Sequence, residues 1–532
     1  MTAPVPRRFP AALLVAGLAL ALAPGAGAQS QSLPDIGSSA AELLTPAQQQ
    51  QYGEMTLAQL RNMNYTLDDP LLNDWLQSLG NRMGAASDKP EQRFTVFLLK
   101  DRDINAFATL GGYVAVNAGL ILAAENEGEL ASVLGHEFAH VTQQHVLRSV
   151  EQAKKDSLPI LLAMLGAIAV AQGSNSDSAS NGAMAALVSA QGLMLQRQIN
   201  YTRSGEAEAD RLGIRTLYRA GFDPGDAAKM FQRMLALSRS NQGGERERTP
   251  DYLLTHPVTT SRISEATQRA EQLRASGGGA VAAGIGSSGN PLLPGNLSIQ
   301  AGAGGDDGQF AWAQERLRAL SADTPAQAIR EYEQMRRSAP LDDAQQYGLA
   351  VAQIRAGKGP AAVDALAALL ARHPGNLWLQ LGIAQAGAHG NDRAAADARF
   401  DALVARMPDN LAVARTYAAV LNERGTPEAG RRAQAILRPL LNDNAGDPGL
   451  QAEFARACDM AGDAVRAGEA YAEAAYLNGR PEQALLQLNT LKNRPDLDYY
   501  ARARIDARIA AITPVVLELQ RQGIRDEDLH RQ

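Results

Sequence analysis

A single cysteine, Cys458, stands in 532 residues, so this chain cannot close an internal disulfide. Its stability must come from apolar cores and from any metal it binds. Cys458 lies in a helical stretch and reads as a small buried apolar residue. Aromatic residues are scarce at 5%, no run of lysine and arginine occurs, and the net charge is −6. Together these argue against a nucleic-acid partner. Long apolar runs are missing as well: none reaches the roughly 20 residues that a membrane-spanning helix needs.

What is abundant is alanine and leucine, which favours a mainly α protein. The length exceeds what one core organises, so two to four domains are expected. At the N-terminus Arg7 and Arg8 precede a short apolar run, and Ala26-Gly27-Ala28 offers a small-x-small cleavage site. Residues 1–28 therefore read as a signal peptide, which implies export. No cysteine follows the cleavage site, so a lipid anchor is not expected.

A polar, Gln-rich lead covers 29–51, and a compact segment follows over 52–275. Within it, residues 93–99 read as a strand, as do Gly112, Tyr113, Val114, Ala115, Val116 and Asn117 after a Gly-Gly turn. A helix should begin near Asn126, with Glu127 and Glu129 complementing its dipole. Two apolar runs separated by a polar loop occupy 158–195. They read as a buried helical hairpin or as mobile helices that cover a site or touch a membrane peripherally. Residues 276–308 are rich in Gly, Ser and Ala and read as a linker. Beyond it Pro340, Pro374 and Pro408 recur every 34 residues, and Ala350, Ala384 and Ala418 each follow ten residues later. Gly357 and Gly425 lie 17 after their prolines, with Asn391 in that place in the middle unit. This is the period of tetratricopeptide repeats. An α-solenoid of five to six helix pairs is expected over 309–512, with a tail over 513–532. Such a solenoid presents a concave face to peptides or proteins.

The helix that starts near Asn126 carries His136-Glu137-Phe138-Ala139-His140. Residues four apart on an α-helix lie about 40° apart around the axis, so His136 and His140 can bind one ion from consecutive turns. Glu137 sits beside them, where it can serve a water as general base. A catalytic zinc needs three protein ligands and one open position. Downstream, Glu206-Ala207-Glu208-Ala209-Asp210 supplies a third candidate ligand, Glu206. Asp210 shares its helical face and can accept a hydrogen bond from a ligand histidine, fixing the imidazole tautomer. Glu208 points about 200° away from Glu206 and reads as solvated. His145 falls about 180° around the helix from His136 and reads as structural. His373, His389 and His530 lie far along the chain and read as packing or surface residues.

These motifs resemble the gluzincin metallopeptidases of the HtpX and CAAX-prenyl-protease type over residues 52–275. Tyr201-Thr202-Arg203 and Asn105-Ala106-Phe107 also fit that family. The resemblance implies a zincin-like domain of helices with a small β-sheet, and a peptidase with one Zn2+ per chain held by His136, His140 and Glu206. It implies that the strand from Gly112 to Asn117 binds extended substrate by β-addition. His256, in Thr255-His256-Pro257, reads either as a loop histidine that packs or as a fourth zinc ligand that keeps the enzyme latent; the family's exported, repeat-bearing branch implies the latter. That branch also implies a periplasmic location, possible contact with the outer membrane, and protein clients. Those clients are outer-membrane β-barrel proteins, degraded when misassembled or assisted in assembly, together with their assembly machinery. Two alternatives stay open: a chaperone or scaffold whose zinc site is mainly structural, and a membrane-associated factor acting through 158–195.

Overall fold

The computed structural model describes residues 44–149, 151, 202–240, 252–253, 256–276, 308–390 and 393–521. The signal segment, the 158–195 hairpin and nearly all of the 276–308 linker lie outside the described residues. The described residues open with two helices. α1 (Pro46–Asn62) starts with Pro46 in its first turn and a capping box between Thr45 and Gln48. It therefore begins inside the expected polar lead and runs across the boundary placed at residue 52. α2 (Pro70–Ala85) is capped by Asp69 and buries Leu72, Leu76, Leu79 and Met83, which recur at helical spacing.

Three strands follow: β1 (Thr95–Leu99), β2 (Ala106–Ala108) and β3 (Tyr113–Asn117). The sheet order is β1-β3-β2, with β1 parallel and β2 antiparallel to β3. β3 is buried along its whole length. It leads into the short α3 (Ala118–Ala123) and then α4 (Glu127–Thr142), whose N-cap is Asn126 as expected. Glu127 and Glu129 do more than complement a dipole. Both are fully buried, Glu127 accepting from Trp75 Nε1 at 3.1 Å and pairing with Arg82 at 2.7 Å. Glu129 pairs with Arg233 at 2.9 Å, on the helix that packs across α4.

α5 is the helix over residues 202–219, followed by α6 (Asp226–Ser240) and α7 (Thr260–Ala275). α5 crosses α4 at a point where both backbones carry glycine. A Cβ on Gly213 would stand 2.8 Å from the His136 backbone nitrogen, and one on Gly135 would stand 2.9 Å from the Gly213 carbonyl oxygen. Only the absence of both side chains allows this approach, and it sets α5 beside the His136 turn. Gly213→Ala should therefore cost about 1–3 kcal/mol, because backbone atoms cannot step aside as a flexible side chain would. Urea denaturation measures this, and an unchanged midpoint and slope would refute it.

From Phe310 onward the described residues form twelve α-helices, paired in sequence as α8 (Phe310–Ser321) with α9 (Pro325–Ser338), α10 (Asp343–Arg355) with α11 (Gly359–Arg372), and α12 (Leu377–Ala388) with α13 (Arg393–Arg406). The series continues with α14 (Leu411–Glu423) and α15 (Pro427–Leu437), α16 (Pro448–Ala461) and α17 (Ala464–Leu477), then α18 (Pro481–Lys492) and α19 (Tyr499–Arg521). The 34-residue period has a structural cause. Ala350, Ala384 and Ala418 sit on α10, α12 and α14 and are essentially fully buried, where helices must approach closely. Gly357 and Gly425 adopt φ of 72° and 69° in the helix connections, a conformation that favours glycine. Cys458 is buried, as expected. α19 continues through Pro514 to Arg521, so the break expected at 512 falls inside a helix; Ile512 and Val516 on either side of Pro514 are both buried and hold it.

The helical array folds back onto α2 and α3. Arg316 on α8 makes a buried, two-pronged ion pair with Asp69 at 2.7 and 2.8 Å, and Arg415 on α14 reaches Asp68 at 2.9 Å. Gln314 donates to the Ile121 and Ala124 carbonyls at the end of α3. Successive residues Asp68 and Asp69 thus anchor arginines from two separate helix pairs. Among the described residues, no helix is long and apolar enough to cross a membrane.

Candidate metal centre

α4 presents His136 and His140 from consecutive turns, as their spacing requires. α5, held close by the glycine crossing, brings Glu206 against them. The segment after Leu253 brings in His256. Metal-ligating atoms of His136, His140, Glu206 and His256 all lie within 4.8 Å of one another. His140 Nε2 stands 3.0 Å from His136 Nε2, and His256 Nδ1 stands 3.3 Å from it. Glu206 oxygens lie 3.5 Å from His136 Nε2, 3.4 Å from His140 Nε2 and 2.8 Å from His256 Nδ1. A tetrahedral zinc with bonds of about 2.0–2.1 Å has edges of about 3.3–3.4 Å between its ligands. Three imidazoles and a carboxylate at this spacing therefore fit that ion.

The electrostatics point the same way. Burial alone would lower the His136 pKa, but the carboxylates of Asp210 and Glu206 outweigh it and push it up to about 10. His140 is pulled down by burial to about 3, despite its bond to Glu206. Burial would raise the Glu206 carboxyl, yet hydrogen bonds from His136, His140 and His256 hold it well below the usual range. Burial keeps His140 neutral, while the buried carboxylates of Glu206 and Asp210 demand positive charge at their centre. A divalent cation among the ligand atoms supplies it without placing protons on the imidazoles.

Around this set lies a layer of supporting polar contacts. His136 Nδ1 is 2.9 Å from Asp210 Oδ1, on the side of the ring opposite the cluster. Asp210 is clamped in turn by Arg262 of α7, at 2.7 Å from Nε and 2.8 Å from Nη2. Arg262 Nη1 also stands 3.1 Å from Glu206 Oε2. Tyr252, fully buried, stacks on the His256 ring with centroids 4.8 Å apart. Glu137 accepts from the Ala108 N–H at 3.1 Å through Oε2. Its Oε1 is buried, makes no hydrogen bond and lies 3.8 Å from His256 Nε2. Burial raises the Glu137 carboxyl while His256 and His136 pull it down.

Asp210→Ala should lower zinc affinity by about tenfold, because it frees the His136 ring and strands Arg262. Competition with a chromophoric chelator reads this directly; unchanged affinity would rule out the orienting role.

One expectation is corrected. The stretch Gly112, Tyr113, Val114, Ala115, Val116, Asn117 cannot receive a strand by β-addition. Gly112 precedes the strand, at φ 86°, and Tyr113 to Asn117 form the central strand, with both edges already paired. The edge strand beside the cluster is β2. Asn105 and Thr109 bond to β3, so by alternation the Ala106 and Ala108 main-chain groups face outward. One of these, the Ala108 N–H, reaches Glu137. Other contacts were not legible in advance. Arg262 carries no signal beyond being a charged residue on an amphipathic helix. His145 and Glu208 read as structural and solvated, yet His145 Nδ1 lies 2.9 Å from His140 Nδ1 and its Nε2 lies 3.1 Å from Glu208. The extrapolation failed because α4 ends at Thr142 and Gln144 turns the chain at φ 53°. His373 bonds Asp343 and His389 bonds Glu423, both in the helical array and far from the cluster; His530 lies outside the described residues.

Residues 70–270 match peptidase family M48. The chain is 30% identical over 509 residues to the β-barrel assembly-enhancing protease of Escherichia coli O157:H7, covering 94% of this chain and 95% of that protein. It is 31% identical over 505 residues to the protein of that name from Yersinia pestis, covering 94% and 96%. A Vibrio cholerae relative of that group is 41% identical over 240 residues, which are 45% of this chain and 48% of that protein.

Proposed function

The chain belongs to peptidase family M48, and from that premise we propose that it is an exported zinc endopeptidase of envelope protein quality control. Family membership makes it a zinc metallopeptidase. The observation that carries the reading is the near-tetrahedral donor set with Glu137 beside it. His136, His140 and Glu206 are the three zinc ligands, and His256 is a fourth that closes the centre. When bound there, zinc supplies Lewis acidity, making a water acidic near neutral pH and polarising a carbonyl. Glu137 takes the proton of the attacking water and returns it to the leaving amine. Asp210 and Arg262 hold the His136 ring in one tautomer and orientation. Substrate lies extended along the outward edge of β2, so that main-chain bonds hold it with little sequence preference.

The relatives' names point to β-barrel assembly. Carried to this chain, that role is degradation of outer-membrane proteins that stall during assembly, and assistance to those that progress. Residues 1–28 direct it to the periplasm of a Gram-negative cell. The helix pairs over 309–512 act as a tetratricopeptide module that holds clients or their assembly machinery; their 34-residue period supports this. The test combines metal analysis with digestion of casein and of an unfolded outer-membrane β-barrel protein. One zinc per chain and chelator-sensitive cleavage of both are expected. Full zinc occupancy with no cleavage, even when the closing ligand is removed, would sink the peptidase reading in favour of a scaffold.

A further inference from the structure

We infer that His145 is a positioning residue of the metal centre, linking the ligand His140 to the Glu208 carboxylate. The inference rests on the zinc reading above. His140 faces the cluster with Nε2, so a metal bound there leaves Nδ1 as the protonated nitrogen. That Nδ1–H points at His145 Nδ1, 2.9 Å away. His145 Nδ1 must then accept, which places the His145 proton on Nε2. His145 Nε2–H in turn donates to Glu208 Oε2 at 3.1 Å, and Arg148 holds the same oxygen at 3.2 Å. Every proton in the chain is assigned once His140 binds metal, and no donor faces a donor.

The fold builds this contact deliberately. α4 ends at Thr142, and Gln144 adopts φ 53°, a conformation uncommon outside glycine. That turn swings the helical residues 145–149 back so that His145 meets His140 edge-on, with ring centroids 4.7 Å apart. His145 is 7% exposed and passes over Gly205, where an added Cβ would come within 3.7 Å of its Nδ1. α5 thus serves both ligand histidines. Its Asp210 holds His136 directly, and its Glu208, on another face, holds His140 through His145.

The test uses the full chain and zinc alone, with affinity read by chelator competition. His145→Ala should weaken zinc binding by about tenfold. His145→Asn, whose side-chain oxygen replaces the Nδ1 acceptor, should stay close to wild type. Glu208→Ala should fall between them. Should His145→Ala misfold, 15N-imidazole NMR of the zinc-loaded wild type decides: protons on His140 Nδ1 and His145 Nε2 are required, and any other tautomer pair overturns the inference. So does His145→Ala with wild-type affinity, or His145→Asn as weak as His145→Ala. A wild type that binds no zinc would sink the reading of the centre itself, whereas tight zinc with an indifferent His145 sinks this inference alone.

Discussion

Glu137→Gln should retain zinc and cleave peptide about 10²–10⁴-fold more slowly than wild type, the range typical of losing a positioned general base. The change is close to isosteric, and the amide oxygen can still accept from the Ala108 N–H, so the side chain should keep its place. What is lost is proton affinity. Glu137 Oε1 is buried, makes no hydrogen bond, and stands on the same side as the ligand imidazoles, where the attacking water must be deprotonated. An amide oxygen there cannot take that proton and then carry it to the leaving nitrogen. Since Glu137 is not among the four clustered ligands, metal content should be unchanged. The measurement pairs metal analysis with initial cleavage rates at saturating substrate. A zinc-replete variant that keeps more than about a tenth of wild-type activity would remove Glu137 from the chemistry. A variant that loses zinc as well would place Glu137 in the metal shell.

Why so much of this centre was legible in the sequence follows from helix geometry. His136 and His140 lie on one continuous helix, so their spacing alone fixes their relative position. Glu206 and Asp210 likewise share α5, and one face of that helix could be read as a unit. Fold class was legible for a similar reason, since the period of 34 marks three successive helix hairpins with a buried alanine, and two of them with a turn glycine. What spacing could not show was how separate elements meet. Arg262 is 52 residues from Asp210, and their approach depends on α7 packing near α5. The Gly135–Gly213 crossing is invisible without knowing that the two helices touch. The contact of His145 with His140 is hidden from helical spacing because the helix ends before His145. The strand assigned to substrate failed differently. Residues 113–117 do form a strand, but it is the central one, and β-addition needs an edge.

His256→Ala should raise cleavage of an unfolded protein by about 10–100-fold while zinc stays bound, a closed-state preference of about 1.4–2.7 kcal/mol. Three protein ligands leave a position open for water and carbonyl, and a fourth fills it. His256 Nδ1 lies 3.3 Å from His136 Nε2 and 2.8 Å from a Glu206 oxygen, which suits the fourth vertex of the proposed centre. The Nε2 of the same ring sits 3.8 Å from Glu137 Oε1, so the ring crowds the base. Its hold is local: a stack on Tyr252, the bond from the His256 N–H to the Tyr252 carbonyl, and the bond from the Tyr252 N–H to Ile104 just before β2. An extended substrate on the outer edge of β2 would compete for that last bond, which would couple client binding to release of His256 through one backbone contact. Alanine removes the ligand without touching His136, His140 or Glu206, and three ligands suffice to retain the metal. Cleavage rates normalised to bound zinc carry the result. If the zinc-replete variant is no faster than wild type, His256 is a packing residue and control must lie elsewhere. A rise that is larger with short peptides, which cannot displace the segment themselves, than with an unfolded protein would tie the latch to binding along β2.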